Sequence, residues 1–518
     1  MTASITPINI SGIQAMPKPI EEDVVVGKDI LDLLTGSMYV DPLNVYREYI
    51  QNAADAIDLA KDAEFKFESE PSIQIFIDNQ NRNIRIRDNG ISIPSDKFLS
   101  RIVTIGASKK RGEKLRGFRG VGRLSGLGYC QTLIFRGRSE GDAKVTEVFW
   151  DGKKLKERYR DPDYNGTLTE LVKEVTSVNR ISPDNFPSRF FEVEMLKISR
   201  LKNDILLNEK VISNYISQVA PVPIEGKFGE KIQDFLGSHG IKPPFNIEIM
   251  DGSGPIKHRL KDTITYGPSF EDAIKDINFF EIKTTDGEIT ACGWVADHAY
   301  FGSIPKSLGL GGIRLRAGNI QVGTESILVD SFREPRFCGW VIGDIHILSN
   351  KILPNGRRDD FENSPAYTHL QGELAIIAKS ASQKIRESSV KRNKLKFFDS
   401  KITSINTLTS FNSERKLPSI IKDVLYGISE KYVNDLYAEL YKMGEDSSEY
   451  KKLHGEIEQV EKAAKSILSS KKKDNNYSQK YSNTLTKALN AIIINSKTTE
   501  AGLDLALEVF NVLQKETS

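Results

Sequence analysis

The segment Glu48–Asp58, with the sequence EYIQNAADAID, carries polar residues at a spacing that could act on a phosphate ester. Glu48, Asn52 and Asp55 stand at i, i+4 and i+7, so a helix places them on one face. A carboxylate there can orient and deprotonate an attacking water. The amide oxygen of Asn52 can ligate Mg²⁺, which prefers oxygen ligands. By itself, the pattern is equally compatible with a solvated polar helix face.

A second motif, Asp88-Asn89-Gly90-Ile91-Ser92, directly follows a predicted strand. The Asp88 carboxylate can accept a hydrogen bond from an exocyclic amine such as that of adenine. Gly90 has no side chain, so its backbone can approach a flat ring closely. An Asp-Asn-Gly turn after a strand is the simpler interpretation of the motif taken alone.

A third motif is the glycine-rich run from Gly117 to Gly126, GFRGVGRLSG. Closely spaced glycines free backbone N–H groups to hold phosphate oxygens. The run lacks the GxxxxGK[ST] pattern of a Walker loop. It also follows a basic loop rather than a strand, which argues against a dinucleotide-binding turn.

The order of these motifs resembles that of the GHKL ATPase superfamily, which comprises gyrase, heat-shock-chaperone, histidine-kinase and MutL proteins. Glu48-x-x-x-Asn52 resembles its first box, Asp88-x-Gly90 its second and Gly117-x-x-Gly120-x-Gly122 its third. Gly166-Thr167, expected to open a strand, is similar to the Gly-Thr that closes the adenine pocket. The resemblance implies a Bergerat-type α/β sandwich that binds and hydrolyses ATP with Mg²⁺. It assigns Glu48 as the base, Asn52 as the metal ligand, and the nucleotide contacts to Asp88, Gly90, Gly117, Gly120, Val121, Gly122 and Thr167.

Within the superfamily the chain is most similar to the ninety-kilodalton heat-shock chaperones, and the Gly117–Gly120 run is also similar to MutL. The segment from Ile352 to Phe361, ILPNGRRDDF, resembles a chaperone middle-domain segment in which Leu-Pro precedes Asn-x-x-Arg. The matching residues are Asn355 and Arg358, which the resemblance brings into the nucleotide pocket as catalytic residues. Such an arginine would neutralise charge on the γ-phosphoryl group. The alternative is that the two arginines pair with the two following aspartates at the surface.

The chain departs from the chaperone pattern at three places. Ser92 replaces the second glycine of the second box, and Ile93 replaces the methionine that follows, which alters the expected adenine pocket. The segment from Thr104 to Arg116 is short and basic, which argues against a long chaperone-type lid. The C-terminal third does not match the chaperone dimerisation domain.

These motifs need elements to position them, and the predicted fold is α+β. Alternating and helical spacings predict strands at Ser72–Asp78, Ile84–Asp88, Thr132–Phe135, Val145–Trp150, Thr167–Val172 and Phe191–Met195, and helices at 24–34 and 45–59. We expect a flexible arm over 1–22, an ATP-binding domain over 23–223, a transducer-like α/β domain over 224–385 and a helical region over 386–518. Strands at Gly312–Arg316 and Gly339–His346 are expected in the second domain.

Composition bounds the class of protein. The 518 residues are 39% hydrophobic and 27% charged with a net charge of +2, which is ordinary for a soluble globular protein. Three separated cysteines, Cys130, Cys292 and Cys338, argue against a zinc site or a disulfide framework. No apolar run suits a membrane span and no signal peptide is evident. A cytoplasmic protein is therefore expected.

The resemblance implies an ATP-driven dimeric conformational machine that remodels a protein client, as chaperones do. The alternative is a MORC-like or MutL-like clamp on DNA that acts in prokaryotic genome defence. A basic cluster would serve that clamp, although a solvated helix face explains it as well; its members are Lys384, Arg386, Lys391, Arg392, Lys394 and Lys396. A histidine kinase is disfavoured, because no histidine precedes the ATPase motifs in a helical hairpin. A further alternative is a protein that binds nucleotide as a switch and does not hydrolyse it.

Overall fold

The computed structural model describes residues 26–32, 41–106, 122–267, 270–443, 448–468 and 479–516. The chain divides into an N-terminal unit, residues 1–383, and a C-terminal unit, residues 384–518. The expected arm over 1–22 and the residues Gly117, Gly120 and Val121 lie outside the described residues.

The N-terminal unit opens with a short helix, α1 (Asp29–Asp32), and a long one, α2 (Asn44–Asp62). Helix α2 is buried on most of its circumference, because its small residues, such as Ala53 and Ala54, allow neighbouring elements to approach closely. Its apolar residues join one core with the isoleucines of the sheet below it. The first box therefore lies on a helix that is fixed in a core.

A mixed sheet lies beneath α2. Within the described residues it has seven strands in the order β5-β4-β3-β6-β2-β1-β7. They are β1 (Ser72–Asp78), β2 (Asn83–Asp88), β3 (Thr132–Arg138), β4 (Val145–Asp151), β5 (Thr176–Ile181), β6 (Phe190–Leu196) and β7 (Asn246–Ile249). The predicted strands at β1, β2, β3, β4 and β6 are confirmed. Strands β1 and β2 alternate apolar and polar residues as half-buried strands do, whereas Leu133, Ile134 and Phe135 of β3 are all buried.

Alternation along β2 determines which side chains face α2. Ile84 and Ile86 are buried in the core under the helix, so Asp88, two residues further on, points to the same face. Arg87 points to the other face, where it pairs with the buried carboxylate of Glu192 at 2.6 Å. The carboxylate of the second box is thus directed toward the helix that carries the first.

Five further helices accompany this sheet and the chain that follows it: α3 (Ser95–Val103), α4 (Gly152–Arg160), α5 (Leu168–Val175), α6 (Glu209–Val219) and α7 (Gly229–Ser238). The prediction of a strand at Thr167–Val172 is wrong, because helix α5 occupies this segment. Thr167 and Glu170 form a capping box, and Leu168, Leu171 and Val172 recur at helical spacing.

Edge strand β7 comes from an unexpected part of the sequence. Its residues Asn246–Ile249 follow α7 in the chain and pair in parallel with β1, Ile73 opposite Ile247. The N-terminal sheet therefore takes one strand from beyond residue 223, where sequence analysis places the end of the ATP-binding domain.

The remainder of the N-terminal unit contains a second sheet. Its five described strands run in the order β10-β11-β14-β12-β13, and a two-stranded ribbon, β8-β9, stands apart. Their bounds are β8 (Thr263–Gly267), β9 (Phe270–Ala273), β10 (Asp276–Lys283), β11 (Ile289–Asp297), β12 (Gly312–Ala317), β13 (Ile320–Val322) and β14 (Ile342–Ile347). The expected strand at Gly312–Arg316 is confirmed as β12, whereas the first residues of the expected Gly339–His346 strand end a 3-10 helix, Pro335–Trp340.

The C-terminal unit is helical. Helix α8 (Pro365–Glu414) begins in the N-terminal unit, and α9 (Ser419–Leu440), α10 (Ser448–Ser466), α11 (Gln479–Asn495) and α12 (Thr499–Glu516) follow. Among the residues described, no helix combines the length and apolarity that a membrane crossing requires. The expected α+β class, with a mixed N-terminal sheet and a helical C-terminal region, is confirmed.

Candidate functional site

Helix α2 carries Glu48 in a buried position, with a residue exposure of only 6%. Its Oε1 has no hydrogen-bond partner among the described residues. The nearest cation is Arg47, whose guanidinium lies 3.5 Å from that oxygen. A buried carboxylate oxygen without a hydrogen bond is suited to hold a water, since leaving a buried polar atom without one is costly.

Arg47 also joins helix α2 to a distant part of the chain. Its guanidinium donates a hydrogen bond of 3.1 Å to the backbone carbonyl of Arg357. The two residues are 310 positions apart, yet the contact brings the segment that resembles the chaperone middle domain directly against the first box.

That segment forms a tight hairpin. Pro354 and Phe361 make a β-bridge, and the backbone N–H of Asn355 donates to the backbone carbonyl of Asp360 at 2.8 Å. Arg358 adopts a positive φ of 56°, a conformation that non-glycine residues adopt rarely. The turn buries Arg358, whereas Arg357 stays exposed, so the two neighbouring arginines occupy different environments.

The two aspartates after the arginines are engaged by other groups. Asn355 donates from its side chain to Asp359 at 2.6 Å. Asp360 accepts from the Tyr367 hydroxyl and, at 2.8 Å, from the Phe361 amide. Hydrogen bonds within the hairpin thus account for the acidic pair, and the surface ion-pair alternative is not needed to explain it.

Asp88 ends β2 beneath α2. It is 3% exposed, and the amide of Gly90 donates to its Oδ1 at 3.0 Å. Burial raises the pKa of Asp88 to about 8. One carboxyl oxygen is therefore held by the backbone of the motif, which leaves the other for a ligand.

Gly90 lies in close contact with the backbone of helix α2. A Cβ at this position would lie 2.5 Å from the carbonyl carbon of Ala56 and 2.5 Å from the amide nitrogen of Ile57. The next amide, that of Ile91, donates to the Ala56 carbonyl at 2.9 Å. The glycine lets the second box approach the backbone of α2, and the expected approach to a flat ring stays a prediction.

The donor set between these elements fits a nucleotide with Mg²⁺. Asn52 is half-buried on α2, and its carboxamide makes no side-chain hydrogen bond to the part of the chain that the structure describes. Within the part of the chain that the structure describes, the buried hydroxyls of Ser92 and Ser125 have no hydrogen-bond partner. Gly122 begins a 3-10 helix, Gly122–Gly128, at the end of the glycine-rich motif. Buried polar groups of this kind need a ligand or ordered water.

Thr167 is the N-cap residue of helix α5. Its hydroxyl and amide bond to Glu170 at the start of α5, and its backbone bridges to Gly27. On the strand next to β2, the residue opposite Asp88 is Phe191. Helix α5 stands where a strand was expected, and the contact of Thr167 with adenine stays a prediction.

Sequence analysis missed Arg47. As the neighbour of Glu48 it reads as an ordinary charged helix residue, and nothing in the spacing indicates a partner near residue 357. Its burial, at 4% exposure, is the structural signal, because a fully buried arginine is rare unless it is paired.

Comparisons with known proteins agree with this geometry. Residues 42–182 match the family described as histidine kinase-, DNA gyrase B-, and HSP90-like ATPase. Chaperone protein HtpG of Enterobacter sp. (strain 638) is 26% identical over 217 residues, which is 38% of this chain and 32% of that protein. HtpG of Yersinia pestis is 27% identical over 219 residues, 39% of this chain and 32% of that protein.

The chain thus spans about a third of the length of the curated relatives it matches. The matched family segment contains the first and second boxes and the described end of the third. Residues 42–182 thus resemble the histidine kinase-, DNA gyrase B-, and HSP90-like ATPases, and part of the chain is similar to the HtpG chaperones.

Proposed function

We propose that this chain hydrolyses ATP in the site between helix α2 and the end of strand β2. Glu48 is the general base, Asn52 the Mg²⁺ ligand and Asp88 the acceptor for the adenine amine. The backbone around Gly90 and Gly122, with the glycines of the preceding loop, holds the nucleotide, and the Asn355–Arg358 hairpin completes the site.

The chemistry follows from the charges in these positions. Glu48 takes the proton from a water that attacks the γ-phosphorus, and Arg358 offsets negative charge that develops on the phosphoryl oxygens. Arg47, whose guanidinium lies 3.5 Å from the Glu48 carboxylate, holds that side chain in place. Mg²⁺, held through Asn52, supplies charge neutralisation at the phosphates.

One observation supports the proposal above the others. The hydrogen bond from Arg47 to the carbonyl of Arg357 places the hairpin on the helix that carries Glu48. A base on one domain and a cation on another meet only when the domains dock. ATP hydrolysis is then coupled to a change of domain arrangement.

We further propose that this coupling drives a homodimer that remodels a protein client. The relatives are named chaperone proteins, and the docked hairpin is the feature that the resemblance associates with them. The DNA-clamp alternative has less support, because lysines of the basic cluster are engaged: Lys391 pairs with Glu449 at 2.6 Å and Lys394 lies 3.9 Å from Glu439.

ATP turnover by the full chain tests the catalytic proposal. Glu48→Ala should bind ATP as the wild type does and hydrolyse it about 10²–10⁴-fold more slowly, as loss of a positioned base does. Asp62→Ala is the matched control, since Asp62 is an exposed carboxylate at the end of the same helix and pairs with Lys242. Equal turnover in the two variants would remove Glu48 from the mechanism.

A second measurement separates the client classes. Turnover is recorded with added unfolded protein and with added DNA at increasing salt concentration. If unfolded protein stimulates ATP turnover and DNA does not, the result agrees with the remodelling of a protein client. Stimulation by DNA that disappears steeply with salt would indicate phosphate contacts and favour the clamp.

A further inference from the structure

A buried charged cluster lies in the second sheet, outside the site described above. At its centre is Asp344 on β14, 2% exposed. Its carboxylate accepts from Arg259 at 2.7 Å, from Arg316 at 2.9 Å and from His258 at 3.0 Å. A third buried arginine, Arg314, lies on β12 beside Arg316. Two guanidinium groups thus contact one carboxylate, and Arg314 stands opposite Asp344 in the β12–β14 pairing, which leaves an excess of positive charge that needs further partners.

The excess positive charge is directed at the C-terminal end of helix α6. Arg316 donates to the backbone carbonyl of Gln218 at 2.6 Å, and Arg314 donates to the Gln218 side-chain oxygen at 2.8 Å. The Arg259 amide donates to the Ser217 carbonyl at 3.1 Å. Carbonyls at the end of a helix carry partial negative charge. The cluster therefore fixes the end of α6 to the second sheet.

Helix α6 in turn contacts helix α2. The hydroxyl of Tyr215 donates to the side-chain oxygen of Asn44 at 3.0 Å. Asn44 is the first residue of α2 and stands one turn before Glu48, so it lies on the same side of the helix. Burial raises the pKa of Tyr215, and the charges of Arg47 and Glu48 also act on it. The cluster is thus connected to the helix that carries the base.

The cluster is also connected to the hairpin that carries Arg358. Arg316 pairs across β12 and β13 with Gln321. Just beyond β13, the amide of Gly323 donates to the carbonyl of Arg358 at 2.8 Å. A Cβ at Gly323 would lie 2.9 Å from the Asp359 carbonyl oxygen, so the contact between this strand end and the hairpin is close.

We propose that Asp344 and Arg316 are positioning residues that hold the Arg358 hairpin in register with Glu48. One side of the cluster fixes the base through α6 and α2, and the other fixes the arginine through the β12–β13 hairpin. The inference rests on the proposed hydrolysis of ATP and adds to it the element that aligns the two halves of the site.

A double-mutant cycle on the full chain tests the proposal. Asp344→Asn keeps the shape of the side chain and removes its charge. Loss of alignment by about 1 Å costs on the order of 10²-fold in rate, so kcat should fall by about 10–100-fold. The Kd for ADP should stay within about 2-fold of the wild type, because ADP has no γ-phosphoryl group for Arg358 to reach.

The second arm uses Arg358→Ala as background. If Asp344 acts through Arg358, Asp344→Asn should change kcat by less than about 2-fold in that background, because effects within one unit do not add. Equal fold-losses in both backgrounds would overturn the proposal, and so would a rise in the Kd for ADP that parallels the loss of kcat.

Glu192→Gln is the matched control, since Glu192 is also a buried carboxylate. It pairs with Arg85, Arg87 and Arg136. It should lower the unfolding temperature without affecting the Arg358-dependent part of kcat. If it reproduces the non-additive loss seen for Asp344→Asn, the cluster has no special positioning role.

If Asp344→Asn does not fold, Arg316→Lys takes its place in the cycle. It keeps the charge but loses the geometry that reaches both Asp344 and the Gln218 carbonyl. Failure of the proposed function is recognised separately: the wild type would then not hydrolyse ATP, or Arg358→Ala would turn over at the wild-type rate. If only the positioning proposal fails, the wild type still hydrolyses ATP and Arg358→Ala still lowers its turnover.

Discussion

Replacing Gly90 by alanine tests how the second box is held against helix α2. The added methyl would lie 2.5 Å from the Ala56 carbonyl carbon and from the Ile57 nitrogen, whereas non-bonded carbon contacts are stable at about 3.5–4.0 Å. Helix and strand end must separate by about 1 Å to restore that distance. Gly90 is not among the positive-φ glycines, so the whole effect is steric.

The magnitude follows from two contributions. Overpacking a well-packed contact costs about 1–3 kcal/mol. The hydrogen bond from Ile91 to Ala56, 2.9 Å long, is stretched by the same movement, and its loss adds about 0.5–1.5 kcal/mol. Gly90→Ala should therefore lower the free energy of unfolding by about 2–4 kcal/mol. It should also weaken ATP binding, because Asp88 and the α2 face no longer hold their spacing.

Denaturant unfolding and calorimetric ATP titration measure both effects. The matched control is Gly372→Ala on helix α8, where a Cβ meets nothing within 4 Å. That change should be neutral or stabilise by up to about 1 kcal/mol. If Gly90→Ala unfolds like the wild type and binds ATP equally well, the contact between box and helix is not what the glycine provides.

Asp88→Asn should abolish ATP binding, because the amide oxygen keeps the bond to Gly90 and the NH₂ group then meets the adenine amine; retained micromolar affinity by calorimetry would contradict this. Arg358→Ala should lower kcat strongly and exposed Arg357→Ala only mildly, and equal kinetics of the two would argue against the hairpin's role. His258 is held neutral, since burial lowers its pKa to about 4 from about 6.5 in the unfolded chain. The neutral His258 therefore contributes about 3 kcal/mol to the free energy of unfolding above pH ~6.5, and this contribution is lost as the pH falls toward about 4. As the pH falls across this range, the measured free energy of unfolding should decrease less for His258→Asn than for the wild type.

The elements around the site were predictable where a periodicity survives in the sequence. Helix α2 and strands β1 and β2 have strict 3.6- and 2-residue patterns, so both Glu48 and Asp88 were placed on the correct elements. The prediction failed at Thr167, where apolar residues favoured a strand. Thr167 and Glu170, however, stand at capping-box spacing, and that local signal was available in the sequence.

Other features of the site depend on contacts between residues far apart in the sequence, and no local sequence pattern indicates such contacts. The partner of Arg47 is 310 positions away. Gly90 packs against the backbone of Ala56 and Ile57, more than 30 positions earlier in the chain. The cluster around Asp344 draws on Arg259 and Arg316 from separate segments, and each of them taken alone resembles a surface charge.

Strand β7 has a consequence for the order in which the chain is synthesised and folds. The strand that covers the free edge of β1 is residues 246–249, so a nascent chain that has emerged only to residue 223 exposes the unpaired backbone of β1. Such edges pair readily with other chains, and incompletely folded domains aggregate through them. Completion of the first sheet must wait until helix α7 and β7 have emerged. A recombinant fragment meant to isolate the ATPase should accordingly end after Ile256, whose amide bonds to Ile247, rather than at the predicted boundary.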